Sequence, residues 1–238
     1  MGATIRSIVT QTTTRAAAYL TPAEVDAVDA LVARIEARTG VQIATAITGK
    51  SDVYAELPWK AFALGASLAA FVVVVADARA PQWTTAYSAL LHAAAILLSA
   101  GAAALLAIFV PPFARLFLRE AHSDVEVRHY AESLFLRHAL FGTRRRTAVL
   151  IFISLFERRI EILADTGVAG RVTEVDWHGI IARMTPRLRE RRPFHALEDA
   201  LTAAESLLVS RGFAATPGDT NELPDRPIQE RGPREVTE

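Results

Sequence analysis

The side chains of this 238-residue chain that could do chemistry are carboxylates, histidines, hydroxyls and arginines, because it contains no cysteine. There is no thiolate nucleophile, no cysteine-held zinc and no disulfide, and the redox compartment goes unread. His122, Glu126 and His129 fall within about 60° of one another on a helical wheel, a spacing that could present them to one divalent cation. That face lies opposite the apolar stripe of the same helix, where exposed polar residues are expected without any metal, and no group that would orient the histidines can be read nearby. Arg144, Arg145 and Arg146 form a basic run suited to phosphate or anionic lipid, or to a solvated turn. Asp165, in Asp165-Thr166-Gly167, is the carboxylate to which a catalytic role would fall. Asp219, Asn221 and Asp225 carry oxygens of a kind calcium uses, but without the rest of a calcium loop they read as a docking or capping segment. Phosphoryl transfer needs cationic groups around the phosphate and a placed nucleophile, and the sequence has no Gly-rich phosphate loop or paired-aspartate motif. No cofactor is expected; a divalent metal is the one addition the residues would allow.

Composition bounds what can position these groups. Hydrophobic residues make up 51% of the chain and charged residues 22%, so apolar and charged stretches must be segregated. Lys plus Arg equals Asp plus Glu at 26 each, which gives no global electrostatic case for a nucleic-acid partner. Residues 1–20 lack the continuous apolar segment of a signal peptide and read as a polar leader. Residues 88–110 are almost wholly apolar, diluted by two serines and His92, and are long enough to span a bilayer. Residues 57–76 form a shorter partner, with Trp59 at the interface and Lys60 reaching outward, so 57–117 is expected to be a two-helix transmembrane hairpin. Trp83 sits in the polar turn between the spans, and Pro111-Pro112 should end or kink the second one. His92 reads as an interfacial or interhelical hydrogen-bonding group. Lys50, Lys60, Arg115, Arg119 and Arg128 flank the hairpin against Arg79 alone in its loop, a bias that puts both termini and the soluble part in the cytoplasm of a two-pass cell-membrane protein.

The remaining residues describe one soluble domain interrupted by the hairpin, 21–49 and 119–212. Thr21-Pro22-Ala23-Glu24 is a capping box that starts a helix ending at Thr39-Gly40, and residues 41–47 alternate as a strand. Residues 119–141 read as a helix with Val127, Ala131, Leu134, His138 and Phe141 on one face. Residues 147–154 are apolar throughout, as a central strand buried on both sides should be, and 159–165 form its hairpin partner. Thr173 and Asp176 start a helix that Pro186 should kink or split, Pro193 starts the last helix, and 213–238 read as an extended or disordered tail. The elements predict an α/β fold, a three-layer α/β/α sandwich around a small mixed sheet with the membrane hairpin inserted.

The segment Tyr130 to Phe141, the run Thr147-Ala148-Val149-Leu150-Ile151-Phe152-Ile153-Ser154 through Leu155-Phe156-Glu157-Arg158-Arg159 to Asp165-Thr166-Gly167, the helix carrying Trp177 and the closing Gly218 to Asp225 resemble the TPM-domain family. The resemblance covers most of residues 119–225. It implies an α/β/α sandwich, a photosystem-repair role for plant members, and a generic acid-phosphatase activity, while bacterial members are mostly membrane-tethered. Arg145-Arg146-Thr147-Ala148 replaces the family's usual Asn-Gly before the central strand, and a signal segment with a C-terminal anchor is lacking. The expected function is therefore a membrane-anchored binding or scaffold module whose partners are the bilayer and another membrane-associated protein, with a weak metal-dependent acid phosphatase as the alternative.

Topology adds two expectations. Asp165 should lie at the membrane-distal edge of the sheet beside the arginine run. The turn Leu155-Phe156-Glu157-Arg158 should lie at the opposite edge and face the bilayer, with Phe156, Arg158 and Arg159 at the interface.

Overall fold

A computed structural model of the chain describes residues 19–79, 85–216 and 220–233. Helix α1 (Pro22–Thr39) begins with the expected reciprocal cap: the Glu24 amide donates to the Thr21 hydroxyl, and the Glu24 carboxylate accepts from the Thr21 amide. Gly40, at φ 66°, adopts the left-handed turn that lets the chain leave the helix, and it feeds β1 (Gln42–Thr48). The chain then departs into α2 (Glu56–Arg79) and α3 (Ala86–Phe109). It returns through the short α4 (Pro111–Ala114) and a 3-10 turn at Arg115–Phe117 to α5 (Glu120–Arg137). The two prolines thus break the second long helix as expected. Strands β2 (Ala148–Ser154) and β3 (Arg159–Ala164) follow, then α6 (Thr166–Ala169), α7 (Glu174–Arg189), α8 (Pro193–Ser210) and β4 (Ile228–Glu230).

The strand order is β3-β2-β1-β4. β1 runs parallel to β2 with Gln42 opposite Ala148 and Thr48 opposite Ser154, and β3 returns antiparallel with Ala164 opposite Val149. Alternate residues of the sheet supply two cores. Ile43, Ile47, Val149, Ile151 and Ile153 pack with α1, α7 and α8 on one face; Ala44, Ala46, Leu150 and Phe152 pack with Val127, Ala131 and Leu134 of α5 on the other. This is the predicted three-layer sandwich.

Several details differ from the sequence reading. β1 is buried along its whole length, because both faces are covered. Its polar Gln42 is tolerated because the side-chain oxygen accepts from the Glu222 and Leu223 amides, at 2.7 and 3.2 Å. α5 stops at Arg137, and Ala139 takes a left-handed conformation into a 3-10 turn that buries Leu140 and leaves His138 exposed and Phe141 40% exposed. α7 runs through Pro186 unbroken: the proline lies in the last turn, and the carbonyl it deprives belongs to exposed Ala182, where water can serve it. The described residues after Phe213 are not detached from the domain. They add β4 parallel to β1, held by Tyr130 and Arg137, which donate to the Glu230 carboxylate at 2.6 and 2.9 Å.

α2 and α3 pack on each other and leave the sandwich. Only 6% and 11% of their most apolar stretches are buried, so they are not core helices, and both are long and apolar enough to cross a bilayer. Leu68, Phe71, Leu98 and Phe109 point outward. The helices touch through small residues: Ala61 and Ala100 are fully buried, and a Cβ added to Gly65 would sit 2.9 Å from both the Ala103 Cβ and the Ser99 carbonyl oxygen. Such close backbone approach is how apolar helices associate where no hydrophobic effect drives them together. Gly65→Leu is expected to destabilise the hairpin by about 1–3 kcal/mol, read as a lower melting temperature of the detergent-solubilised protein, with Gly101→Leu, whose Cβ would meet open space, as the harmless comparison.

Candidate functional site

At the edge of the sheet where β1 and β2 begin, Asp165 caps α6, and Arg146 grips it with two hydrogen bonds, Nε to Oδ2 at 2.7 Å and Nη2 to Oδ1 at 2.9 Å. The Thr166 amide donates to Oδ1 at 2.7 Å. Burial alone would raise the Asp165 carboxyl, but Arg146 and Thr166 more than reverse this and hold it below the usual aspartate range. Asp165 therefore lies at the edge opposite Thr48, beside the arginine run, with both oxygens engaged. The rest of the run diverges: the Arg144 amide donates to Glu222 and Arg145 reaches toward Thr216. Gly167 allows the close approach, since its amide donates to the Arg146 carbonyl at 2.8 Å and a Cβ there would lie 2.5 and 2.7 Å from the Arg145 and Arg146 carbonyl oxygens. Gly167→Ala should push Arg146 off Asp165 at a cost of about 1–3 kcal/mol. The destabilisation should be measurable by denaturant titration at neutral pH. It should shrink as pH falls through the aspartate range, because a depressed carboxyl stabilises the fold only while ionised.

At the other end of the sheet, where β1 and β2 finish, the two parts of the chain are tied by Glu157 in the β2–β3 turn. Its Oε1 accepts from the Ser51 amide and the Tyr54 hydroxyl, each at 2.8 Å, and its Oε2 accepts a short hydrogen bond from the Ser154 hydroxyl. Burial, with the Glu157 carboxylate beside it, pushes the Tyr54 phenol far up, so Tyr54 is held as a donor. Arg115, just after α4, completes the join: its Nε donates to the Phe156 carbonyl at 2.7 Å and its guanidinium lies 5.5 Å from the Phe156 ring. Phe156 packs on Tyr54, Leu57 and Ala114 at the base of the long helices. The turn thus sits where the hairpin joins the domain, and its phenylalanine folds back onto that joint.

Beside this joint a cleft of about 850 Å³ opens between α5, the β3 edge and α7. Two of its arginines are balanced, Arg159 by Asp124 at 3.1 Å and Arg128 by Glu161 at 3.7 Å. Among the described residues Arg115, Arg158 and Arg189 have no ion pair, and the one other carboxylate in the lining, Glu157, accepts from the uncharged donors named above. Burial first, then the neighbouring guanidiniums of Arg158 and Arg191, lower the Arg115 pKa, with Glu157 opposing. Arg158 and Arg191 both have positive φ, 54° and 60°, unusual for residues with a Cβ.

The other expected site residues fall elsewhere. His122, Glu126 and His129 lie on the outer part of α5; no group of three metal-ligating side chains occurs among the described residues, and the His122 ring meets Tyr54 edge-on at 6.2 Å. Trp59 is 72% exposed at the start of α2, Lys60 approaches Glu56 at 3.5 Å, and Trp83 and Asp219 lie outside the described residues. Asn221 instead donates to Asp225. From sequence Arg115 reads only as a flanking cation of the hairpin and Glu157 only as part of the β2–β3 turn, and neither Arg189 nor Tyr54 stands out. Arg115 carried a visible signal, the first cation after the second span, but the Ser51 and Tyr54 partners of Glu157 are some hundred residues distant in the chain.

Residues 113–207 match the family model described as the TPM domain. No curated protein matches the chain. Among solved structures, the NMR structure of the BA42 protein from the psychrophilic bacterium Bizionia argentinensis is similar at a TM-score of 0.53. It is 14% identical, over 89% of this chain and 94% of that one, a likeness that speaks to fold alone.

Proposed function

We propose that this chain, a TPM-type α/β/α domain interrupted by two apolar helices, is a two-pass membrane-anchored binding module with the soluble domain and both termini in the cytoplasm. The observation that carries the reading is the α2–α3 pair, which leaves the domain at its Glu157 joint and turns outward large apolar side chains that no part of the sandwich covers. The excess of cations on the flanks over Arg79 in the loop supports the cytoplasmic orientation. Asp165 and Glu157, the buried carboxylates at the two ends of the sheet, are both tied into structural bonds, which favours recognition, of the bilayer and of another membrane-associated protein, over turnover.

The absence of cysteine makes the orientation directly testable. Single cysteines at Arg79 and Arg183, probed with an impermeant maleimide, should react from opposite sides: residue 183 in inverted vesicles and residue 79 in right-side-out vesicles. Labelling of both from one side would rule out a crossing. The metal-dependent acid phosphatase is a second reading, favoured by the unbalanced arginines of the cleft, which suit a phosphate. Divalent-metal titration against a broad phosphoester panel tests it, and turnover abolished by Asp165→Ala would put the enzyme ahead of the binding module.

A further inference from the structure

We infer that the cleft between α5, β3 and α7 takes the phosphate-bearing headgroup of an anionic lipid from the leaflet next to the hairpin's base. Three segments distant in sequence converge there: Arg115 behind the second long helix, Arg158 in the β2–β3 turn and Arg189 in the last turn of α7. Among the described residues neither Arg158 nor Arg189 has an ion pair, and Arg115 spends its donors on backbone carbonyls of the turn. Three cations gathered with only the Glu157 carboxylate to offset them are unfavourable unless a further anion completes the set. Arg158 is also held at positive φ, 54°, which fixes the direction in which the turn presents it to the cleft.

Position selects the source of the anion. Arg115 follows the end of α3 by six residues, and Leu116 beside it is 76% exposed, as is Phe109 at 75% on the helix end. A cationic cleft whose Arg115 is followed in the chain by the outward apolar Leu116 fits a molecule with a charged head and an acyl tail better than free phosphate, which would leave Leu116 in water. The cleft is also large enough for a glycerophosphate headgroup. This rests on the membrane anchoring proposed above, and it goes beyond it by naming a lipid class and the side chains that choose it.

The test uses the full chain in neutral detergent, titrated with phosphatidylglycerol, phosphatidylcholine or inorganic phosphate and read by native mass spectrometry. Phosphatidylglycerol should be retained in preference to phosphatidylcholine. Arg158→Gln and Arg189→Gln should each weaken that retention by about fivefold, the worth of one basic residue at an anionic surface. Arg183→Gln, remote from the cleft, should not. Both side chains reach solvent and neither supports the core, so the variants should keep the wild-type melting temperature. Equal retention of the two lipids, or retention unchanged in both variants, would overturn the proposal. So would inorganic phosphate displacing the lipid at comparable concentration, which would assign the cleft to a soluble anion. Flotation of wild type and variants with pure phosphatidylcholine vesicles tests the anchor separately: a chain that fails to float there has lost the anchoring reading, whereas one that floats but shows no lipid preference has lost only the headgroup site.

Discussion

Glu157→Ala is expected to destabilise the protein by about 3–4 kcal/mol, because it removes one acceptor from several buried donors at once. The Tyr54 side chain is 4% exposed and Ser51 is 5% exposed, so neither the phenol nor the amide can turn to water for a replacement. Leaving a buried donor unmet costs more than the net worth of the bond it made. The loss should also be local. Gly49 to Ala55 joins β1 to α2, and Glu157 is the side chain that fastens this loop to the sheet, alongside the Phe156 amide donating to the Gly49 carbonyl. Amide exchange in residues 50–55 should therefore accelerate more than exchange in β1 or α8. Glu157→Gln keeps an oxygen for Ser51 and Tyr54 and presents an amide to a Ser154 hydroxyl that can rotate to accept it, so it should recover about half the loss. A Glu157→Ala protein as stable as wild type, with unchanged exchange in 50–55, would show that the joint is held by the Phe156 cluster instead.

What could be read in the sequence and what could not divide along physical lines. Local signals were legible: the Thr21 and Thr173 capping boxes form as written, and both satisfy amides within three residues of the cap. The apolar run of β2 foretold burial on both faces, and its short connection to β3 foretold the antiparallel pair. From those strand directions alone Asp165 could be placed beside Arg146, although not the two-pronged bond between them. Interactions that depend on distant segments were not legible. β4 has three residues and no alternation of its own; it exists because Tyr130, Arg137 and β1 wait for it. β1 read as an alternating strand, with Gln42, Ala44 and Ala46 on one face, and the alternation did not show that small Ala44 and Ala46 let α5 close over that face. The basic cleft escaped notice for the same reason: its unbalanced arginines come from three places, while the conspicuous run at 144–146 scatters into separate bonds.

Glu36 shows how a buried group hidden in an amphipathic pattern should set the pH response of the whole fold. It lies under the start of β1, where one oxygen accepts from the Ile43 amide at 2.7 Å and the other has no partner among the described residues. Burial raises its pKa, the Ile43 amide partly offsets that, and Asp225 adds to the rise, bringing it to about 7. A carboxyl whose folded pKa exceeds its unfolded value binds its proton more tightly in the folded state. Its contribution is thus fully present below the unfolded value of 4.5, declines as pH rises, and is gone above about 7. The difference corresponds to roughly 2–3 kcal/mol between pH 4.5 and pH 8. Glu36→Gln keeps the acceptor for Ile43 and removes the buried charge. It should match wild type near pH 4.5 and exceed it at pH 8 by about 2 kcal/mol, compared by denaturant titration of both proteins in the same detergent. Because other groups titrate in this range, the quantity that matters is the difference between the two proteins at each pH. A difference that stays constant from pH 4.5 to pH 8 would mean that Glu36 keeps an ordinary pKa, and Asp225→Asn should shift the midpoint of the wild-type curve downward if the acid beside it contributes as its proximity requires.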